Sequence, residues 1–147
     1  FMEIRYAELR EILPLRQQMI IAGTDRDSPY FDGDQKPDTR HVAIFDRGAC
    51  IACATLLAST CEGKSAWQLR GMAILPGYQG QGHGASLLAA CLKHVQAHSG
   101  NLLWCNARTH ARDFYARFGF DVKGKPFDIP GIGTHFLMEK RIDKNAE

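Results

Sequence analysis

No stretch of this chain holds the roughly 18 consecutive apolar residues that a membrane-crossing helix needs, so no membrane span is expected. No basic run stands in it either. Its 18 lysines and arginines are nearly matched by 16 aspartates and glutamates, which argues against nucleic acid as a partner. Glu3 and Arg5 interrupt the start, against a secretory leader, and Phe1 ahead of Met2 reads as an appended residue. Cysteine is too scattered for a disulfide framework: Cys50, Cys53, Cys61, Cys91 and Cys105 make an odd number. Cys50 and Cys53 have the spacing of half a zinc site, but no second pair follows, and no metal is expected. Most of these thiols sit among apolar neighbours, which suits reduced, buried side chains in the cytoplasm.

What remains is an ordinary globular composition, 45% hydrophobic and 23% charged, at a length that fits a single domain over 2–147. Its organising stretch lies between residues 69 and 98. An apolar run, 69–75, meets Pro76-Gly77-Tyr78 and then Gln79-Gly80-Gln81-Gly82-His83-Gly84. An apolar-striped helix follows from Ala85. Glycines let a backbone approach an anion, and the first N–H groups of a helix lack intrahelical partners, so this is a place to hold phosphate. It is not a nucleotide P-loop, because Gly82 is followed by His83-Gly84 and not by Lys and Ser or Thr. Gly80, Gly82 and Ala85 satisfy a dinucleotide fingerprint, which would make a nicotinamide oxidoreductase. That fingerprint also needs an acid about 20 residues on to bind ribose, and residues 102–107 have none.

The rest of the chain reads as short elements. Residues 2–6 alternate as a strand. Leu9, Ile12, Leu13, Arg16, Met19 and Ile20 follow helical spacing, which tolerates Pro14 only in a first turn, and Gly23 closes the helix. Residues 24–39 form a long irregular loop with Asp25, Asp27, Asp32, Asp34 and Asp38, but no terminal glutamate of a calcium loop. Residues 41–46 and 50–59 predict a hairpin across Arg47-Gly48, and Glu62-Gly63-Lys64 predicts another turn before the strand 65–75. Ser99-Gly100-Asn101 stops the long helix. Residues 102–107 read as a buried strand, 112–117 as a short helix capped by Gly119, 120–123 as a strand, 125–134 as irregular, and 135–141 as the last strand. The tail from Asp143 is polar and reads as a frayed end. The crossover from the fourth strand to the fifth predicts a parallel, right-handed connection, the other pairings being antiparallel. The fold class is mixed α/β.

Two motifs in order resemble one family. Residues 79–84 look like the Q/R-x-x-G-x-G/A motif of the GNAT superfamily of acyl-CoA-dependent N-acyltransferases. Asn106-Ala107-Arg108, Ala111 and Phe114-Tyr115-Ala116-Arg117-Phe118-Gly119-Phe120 resemble its N-A…A…FY…GF signature. Gly131-Ile132-Gly133-Thr134-His135 is a weaker match. The resemblance runs from Ile4 to Arg141. It implies a mostly antiparallel central sheet with a parallel fourth and fifth strand pair and helices on both faces. It also implies acetyl-CoA as cosubstrate, without metal, and direct attack of an amine on the thioester.

Residue by residue, the resemblance assigns Met72, Ala73 and Ile74 to the pantetheine arm and thioester carbonyl through their backbone. It assigns Gln79, Gly80, Gln81, Gly82, His83, Gly84 and Ala85 to the pyrophosphate, and Asn106 to pantetheine or a bound water. Tyr115 becomes the acid for the leaving thiolate, since a phenol with a pKa of about 10 is protonated at neutral pH. Many family members carry a glutamate base on the fourth strand, and residues 65–75 contain no acid. His135, His41, Asp32 and Asp34 are the candidate bases, a histidine having the suitable pKa range. Arg70 and Arg108 flank the expected cleft, either as surface side chains or as guides for a carboxylate-bearing substrate. The acidic loop, with Asp128, hints instead at a cationic acceptor such as a polyamine or aminoglycoside-like amine. The acceptor is expected to be a small-molecule or peptide amine, and a homodimer is compatible with the family. The alternative is a catalytically silent CoA-binding sensor or interaction domain.

Overall fold

The computed structural model describes residues 1–61 and 63–142, without the side chains of Cys61 and Lys64. Glu62 of the expected turn and the tail from Asp143 lie outside the described residues. Four strands, β1 (Met2–Ala7), β2 (Arg40–Asp46), β3 (Ala49–Cys61) and β4 (Lys64–Ile74), form an antiparallel meander. The chain then crosses through α2 (His83–Ala97), after α1 (Leu9–Arg16) earlier in the chain, to β5 (Leu102–Arg108), which pairs with β4 in parallel. After α3 (Arg112–Arg117) come β6 (Asp121–Ile129) and β7 (Gly133–Arg141). β7 lies between β5 and β6, antiparallel to both, and gives one sheet among the described residues, ordered β1-β2-β3-β4-β5-β7-β6.

Both faces of this sheet are covered, as the alternation along β2 requires. Successive strand side chains point to opposite faces. Val42 and Ile44 join Leu87, Leu88, Cys91 and Val95 of α2 in one cluster, while Ala43 and Phe45 join Ile12 and Leu15 of α1 in the other. Tyr115 of α3 belongs to the α2 cluster. Each fully buried aliphatic side chain contributes about 1.5–3 kcal/mol, so the two clusters fix the layers. Cys53, Cys91 and Cys105 are buried free thiols whose pKa burial pushes up to about 12, which leaves them unreactive.

Two elements depart from the sequence expectation. Pro14 lies in the last turn of α1, five residues beyond Leu9, and the helix then widens into a π turn, Gln17–Ile21, closed by Ala22 N–H donating to the Gln17 carbonyl at 2.9 Å. A proline inside a helix removes one hydrogen bond and crowds the carbonyl four residues back, and α1 accommodates this locally without ending. The segment expected to be irregular from 125 onward continues β6 to Ile129. A register shift between Lys123 and Phe127, with Gly124 at φ 74°, absorbs Pro126. This works because β6 is an edge strand, where a missing N–H leaves no ladder bond unmade.

β4 and β5 run together only briefly. They pair at Trp67 with Leu103 and at Gln68 with Trp104, after which no pairing is seen. On the β3 side, Arg70 faces Thr55 and Ala73 faces Cys53, so β4 spends three residues where β3 spends two. Gly71, at φ 67°, lies in this bulge. A bulge bends its strand and increases the local twist, which turns the end of β4 away from β5.

Candidate active site

A cavity of about 560 Å³ fills the gap between the diverging strands. Its walls include Gln68 to Ile74 on β4 and Cys105 to Arg108 on β5, with Phe114 and Tyr115 from α3 and Met19 and Ile20 from the π turn. The size is that of a small-ligand site. Beyond Gln68, β4 has no strand partner on this side, so its backbone groups are open to an extended ligand that adds as a further strand. Met72, Ala73 and Ile74 form this edge.

The glycine loop closes one end. Leu75 to Tyr78 makes a tight turn, Gly80 and Gly82 have φ of 75° and 86°, and Gly82 is the N-cap of α2. A Cβ on either glycine would meet nothing within 4 Å, so the concavity over the helix terminus is open. The unpaired N–H groups from His83 onward, together with the positive end of the helix dipole, fit a phosphate-bearing ligand there. Gln79 donates through Nε2 to the Ile74 carbonyl at 2.8 Å, and Gln81 to that of Gly77 at 3.2 Å, so both glutamine side chains brace the loop. Tyr78 ties it to the sheet, its hydroxyl donating to Asp46 at 2.5 Å and holding that carboxyl below its usual pKa. Gly84 is buried, and a Cβ there would lie 3.2 Å from the Phe114 ring. Ala85 follows it in the first turn of α2.

Tyr115 is buried between Phe114 and Phe120, with ring centroids 5.2 and 5.3 Å away. Its hydroxyl reaches the Met72 sulfur at 3.9 Å, its only polar side-chain partner among the described residues. A thioether is a weak acceptor, so this proton is available for a better one. Desolvation, reinforced by the nearby Cys105 and Cys91, pushes the phenol pKa upward and keeps it protonated. Asn106 and His135 line the same cavity. His135 Nδ1 lies 2.8 Å from the Gly133 carbonyl. A carbonyl only accepts, so Nδ1 carries the proton and the Nε2 lone pair is available.

His41 is elsewhere. It is buried, does not line the cavity, and has both ring nitrogens engaged. Arg16 donates to Thr55 Oγ1 at 2.8 Å, and His41 Nδ1 also lies 2.8 Å from that hydroxyl, accepting from it because Nε2 faces a carbonyl and holds the ring proton. His41 Nε2–H then donates to the Asp34 carbonyl at 3.2 Å, while the Asp34 carboxylate accepts from Arg16 at 2.7 and 3.1 Å. The ring of bonds closes on itself: both His41 nitrogens are taken up, and the Asp34 carboxylate is buried on Arg16 and does not line the cavity. Asp32 is exposed and is not part of the cavity wall.

Sequence reasoning missed Phe31, Arg26 and the bulge at Gly71. Phe31 is buried, and the guanidinium carbons of Arg16, Arg70 and Arg26 lie 3.9, 4.2 and 5.4 Å from its ring centroid. An aromatic pair, Tyr30-Phe31, in a loop rich in Asp, Gly and Pro was the available signal. A glycine inside a strand pattern was the signal for the bulge.

A sheet opened between two parallel strands, with a phosphate-type loop at the mouth and a buried phenol beside the open edge, defines an acyltransferase of the GNAT class. The chain belongs to the GNAT acetyltransferase family: residues 31–142 match the family's acetyltransferase (GNAT) domain. It is 32% identical to the uncharacterized N-acetyltransferase YitI of Bacillus subtilis (strain 168) over 145 residues, which cover 96% of this chain and 97% of that one. The fold is similar to that of Escherichia coli ElaA, with a TM-score of 0.79 at 20% identity over 95% of this chain and 99% of the other. It is also similar to an aminoglycoside 6'-N-acetyltransferase solved with coenzyme A, with a TM-score of 0.76 at 13% identity and 99% of both chains covered. Among the described residues no helix is long and apolar enough to cross a membrane, and no group of three His, Cys, Asp or Glu side chains could hold a metal ion.

Proposed function

We propose that this chain transfers an acetyl group from acetyl-CoA to a primary amine of a small molecule or peptide, by direct attack of the amine on the thioester. The observation that carries this reading is the single cavity shared by the open β4 edge, the glycine loop and the Tyr115 hydroxyl. The loop and the α2 terminus take the pyrophosphate of the donor, and the backbone of Met72 to Ile74 takes the pantetheine arm. A β4 backbone N–H directed at the thioester carbonyl stabilises the charge that develops on its oxygen.

The amine must lose a proton to attack. Here His135 Nε2 is the base, directly or through one water. The amine nitrogen bonds to the carbonyl carbon, the carbon–sulfur bond breaks, and the thiolate takes the Tyr115 proton. One proton thus leaves the nitrogen and one reaches the sulfur, so the products are an amide and a free thiol. Asn106, on the β5 side of the gap, binds the pantetheine amide. The neighbour solved with coenzyme A supports the choice of donor.

The test is thiol release from acetyl-CoA across a panel of amines, with product mass as a second readout. Amine-dependent release with a product heavier by one acetyl group is expected. Tight CoA binding with no release on any acceptor would show a binding module in place of an enzyme.

A further inference from the structure

We propose that the acceptor amine carries a carboxylate, held by Arg26 and Arg70 beside Phe31, an assignment that rests on the acyltransferase reading above. Arg26, Arg70 and Arg108 line the cavity, and among the described residues no aspartate or glutamate does. The three guanidiniums around Phe31 are not equivalent. Arg16 is fully buried and its charge is matched by Asp34 at 2.7 Å. The guanidiniums of Arg26 and Arg70, both half-buried, make no hydrogen bond or ion pair with a described residue. Arg108 has a single bond, 3.3 Å to the Ile132 carbonyl.

Two unmatched, partly desolvated cations on one ring are costly to keep unless an anion completes them. Burial, then the like charges of Arg26 and Arg16, lowers the Arg70 pKa, the sign of a cation short of counter-charge, with Asp34 and Asp32 offsetting it only in part. A guanidinium presents paired N–H donors that match a carboxylate, and stacking on Phe31 holds that plane in place.

The phosphates of the donor do not account for this pair. Arg70 stands four positions before Ile74, where Gln79 anchors the loop, which is roughly 13 Å of strand at ~3.3 Å per residue. The acidic loop does not offer a cation site here either. Asp34 is spent on Arg16, Asp25 lies beside Gly131, and no loop aspartate lines the cavity. A polycationic acceptor would meet Arg26 and Arg70 with like charge.

The experiment compares free amino acids with their carboxamides and with spermidine, using acetyl-CoA, in wild type, Arg70→Gln, Arg70→Lys and Arg26→Gln. Wild type is expected to use the acids with kcat/KM at least tenfold above the amides. Arg70→Gln and Arg26→Gln should raise KM for the acids at least tenfold with kcat changed less than threefold, and should bring acid and amide together. Arg70→Lys should recover part of the difference. Amides or spermidine used as well as the acids by wild type would overturn the proposal, whatever the variants do. If no amine is acetylated, the acyltransferase reading fails separately. Binding of the same acid and amide pairs to CoA-loaded wild type, by calorimetry, then decides: tighter acid binding supports the arginine site and equal binding overturns it.

Discussion

Gly71 and Phe31 leave each other no spare volume: a Cβ on Gly71 would stand 2.9 Å from Phe31 Cε2. The same glycine has φ 67°, where an L-residue costs about 1–2 kcal/mol. Gly71→Ala therefore adds backbone strain to an overpacking term of about 1–3 kcal/mol. The expected outcome is a loss of roughly 2–5 kcal/mol in urea unfolding, with KM for the acceptor rising more than KM for acetyl-CoA. The asymmetry follows from Phe31 being the residue displaced. Equal effects on both substrates would mean that the bulge serves donor and acceptor alike.

Asp34 is the counter-ion of a guanidinium with no exposed surface. It also accepts from the Phe31 N–H at 2.6 Å, so one carboxylate holds Arg16 and the loop that carries Phe31. Removing one partner of a buried ion pair leaves the other charge uncompensated, at a cost of about 3–5 kcal/mol. Asp34→Ala should therefore unfold at markedly lower denaturant, and Asp34→Asn should recover only part of the loss. A change below about 1 kcal/mol in either variant would show that water reaches Arg16 and replaces the pair.

The layers of this fold were legible in the sequence because each depends on a local pattern. Alternation in β2 and the 3.6-residue stripe of α2 place Val42, Ile44, Leu87 and Val95 in one core. The long extent of β6 was not legible, since Gly124 and Pro126 are strand breakers unless the strand is at an edge and bulged, and edge position is a tertiary fact. The donor side of the proposed site was legible for the same local reason: a loop motif and a helix start adjoin in sequence. The acceptor side was not. Phe31 and Arg26 share one loop but Arg70 lies far from both in sequence, and they meet only because Arg16 and Asp34 fold the 22–39 segment back over β4. His41 and His135 look alike as strand histidines, and only the partners of their ring nitrogens separate them.

Acid should weaken the fold before it protonates the carboxylates. His94 is buried, accepts or donates at Nδ1 to the Tyr6 hydroxyl at 2.6 Å, and stacks on His98 at 4.0 Å. Burial, then the His98 and Arg40 charges, lowers its pKa to about 4, against about 6.5 in an unfolded chain. Between those values the unfolded state binds more protons, so stability is full above the upper one and is lost as pH falls toward the lower. From pH 7 to pH 5 the loss attributable to His94 is about 2 kcal/mol at 1.36 kcal/mol per unit. His41, whose pKa burial also lowers, acts in the same direction. Urea titrations at the two pH values should show the drop in wild type and a smaller one in His94→Gln. An identical drop in the variant would move the effect to other groups.

Gly82 tests the loop independently of catalysis. Its αL conformation caps α2 and its surroundings are open, so an added methyl clashes with no protein atom within 4 Å. Gly82→Ala should cost about 1–2 kcal/mol of stability through backbone strain. It should also weaken CoA binding at least tenfold, read by calorimetry at a temperature where the variant is folded, because the methyl enters the concavity proposed for pyrophosphate. Unchanged CoA affinity would place the phosphates elsewhere.

Tyr115→Phe separates chemistry from binding. The hydroxyl reaches only a thioether 3.9 Å away, so its removal should cost less than about 1 kcal/mol of stability, and the ring contacts with Phe114 and Phe120 persist. A positioned general acid contributes about 10²–10⁴ in rate, and a thiolate leaving into a half-closed cavity needs that proton. kcat should fall about 100-fold in Tyr115→Phe while the CoA dissociation constant stays within twofold of wild type. Desolvation keeps the phenol protonated well above neutrality, so wild-type kcat should show no tyrosine-derived decline up to pH 9. The variant should gain most with thioesters whose thiol leaves without help, such as an acetylated aromatic thiol of low pKa, because these need no proton from the enzyme. A variant equally slow with those donors would assign Tyr115 to shaping the cavity and leave the sulfur to be protonated by water.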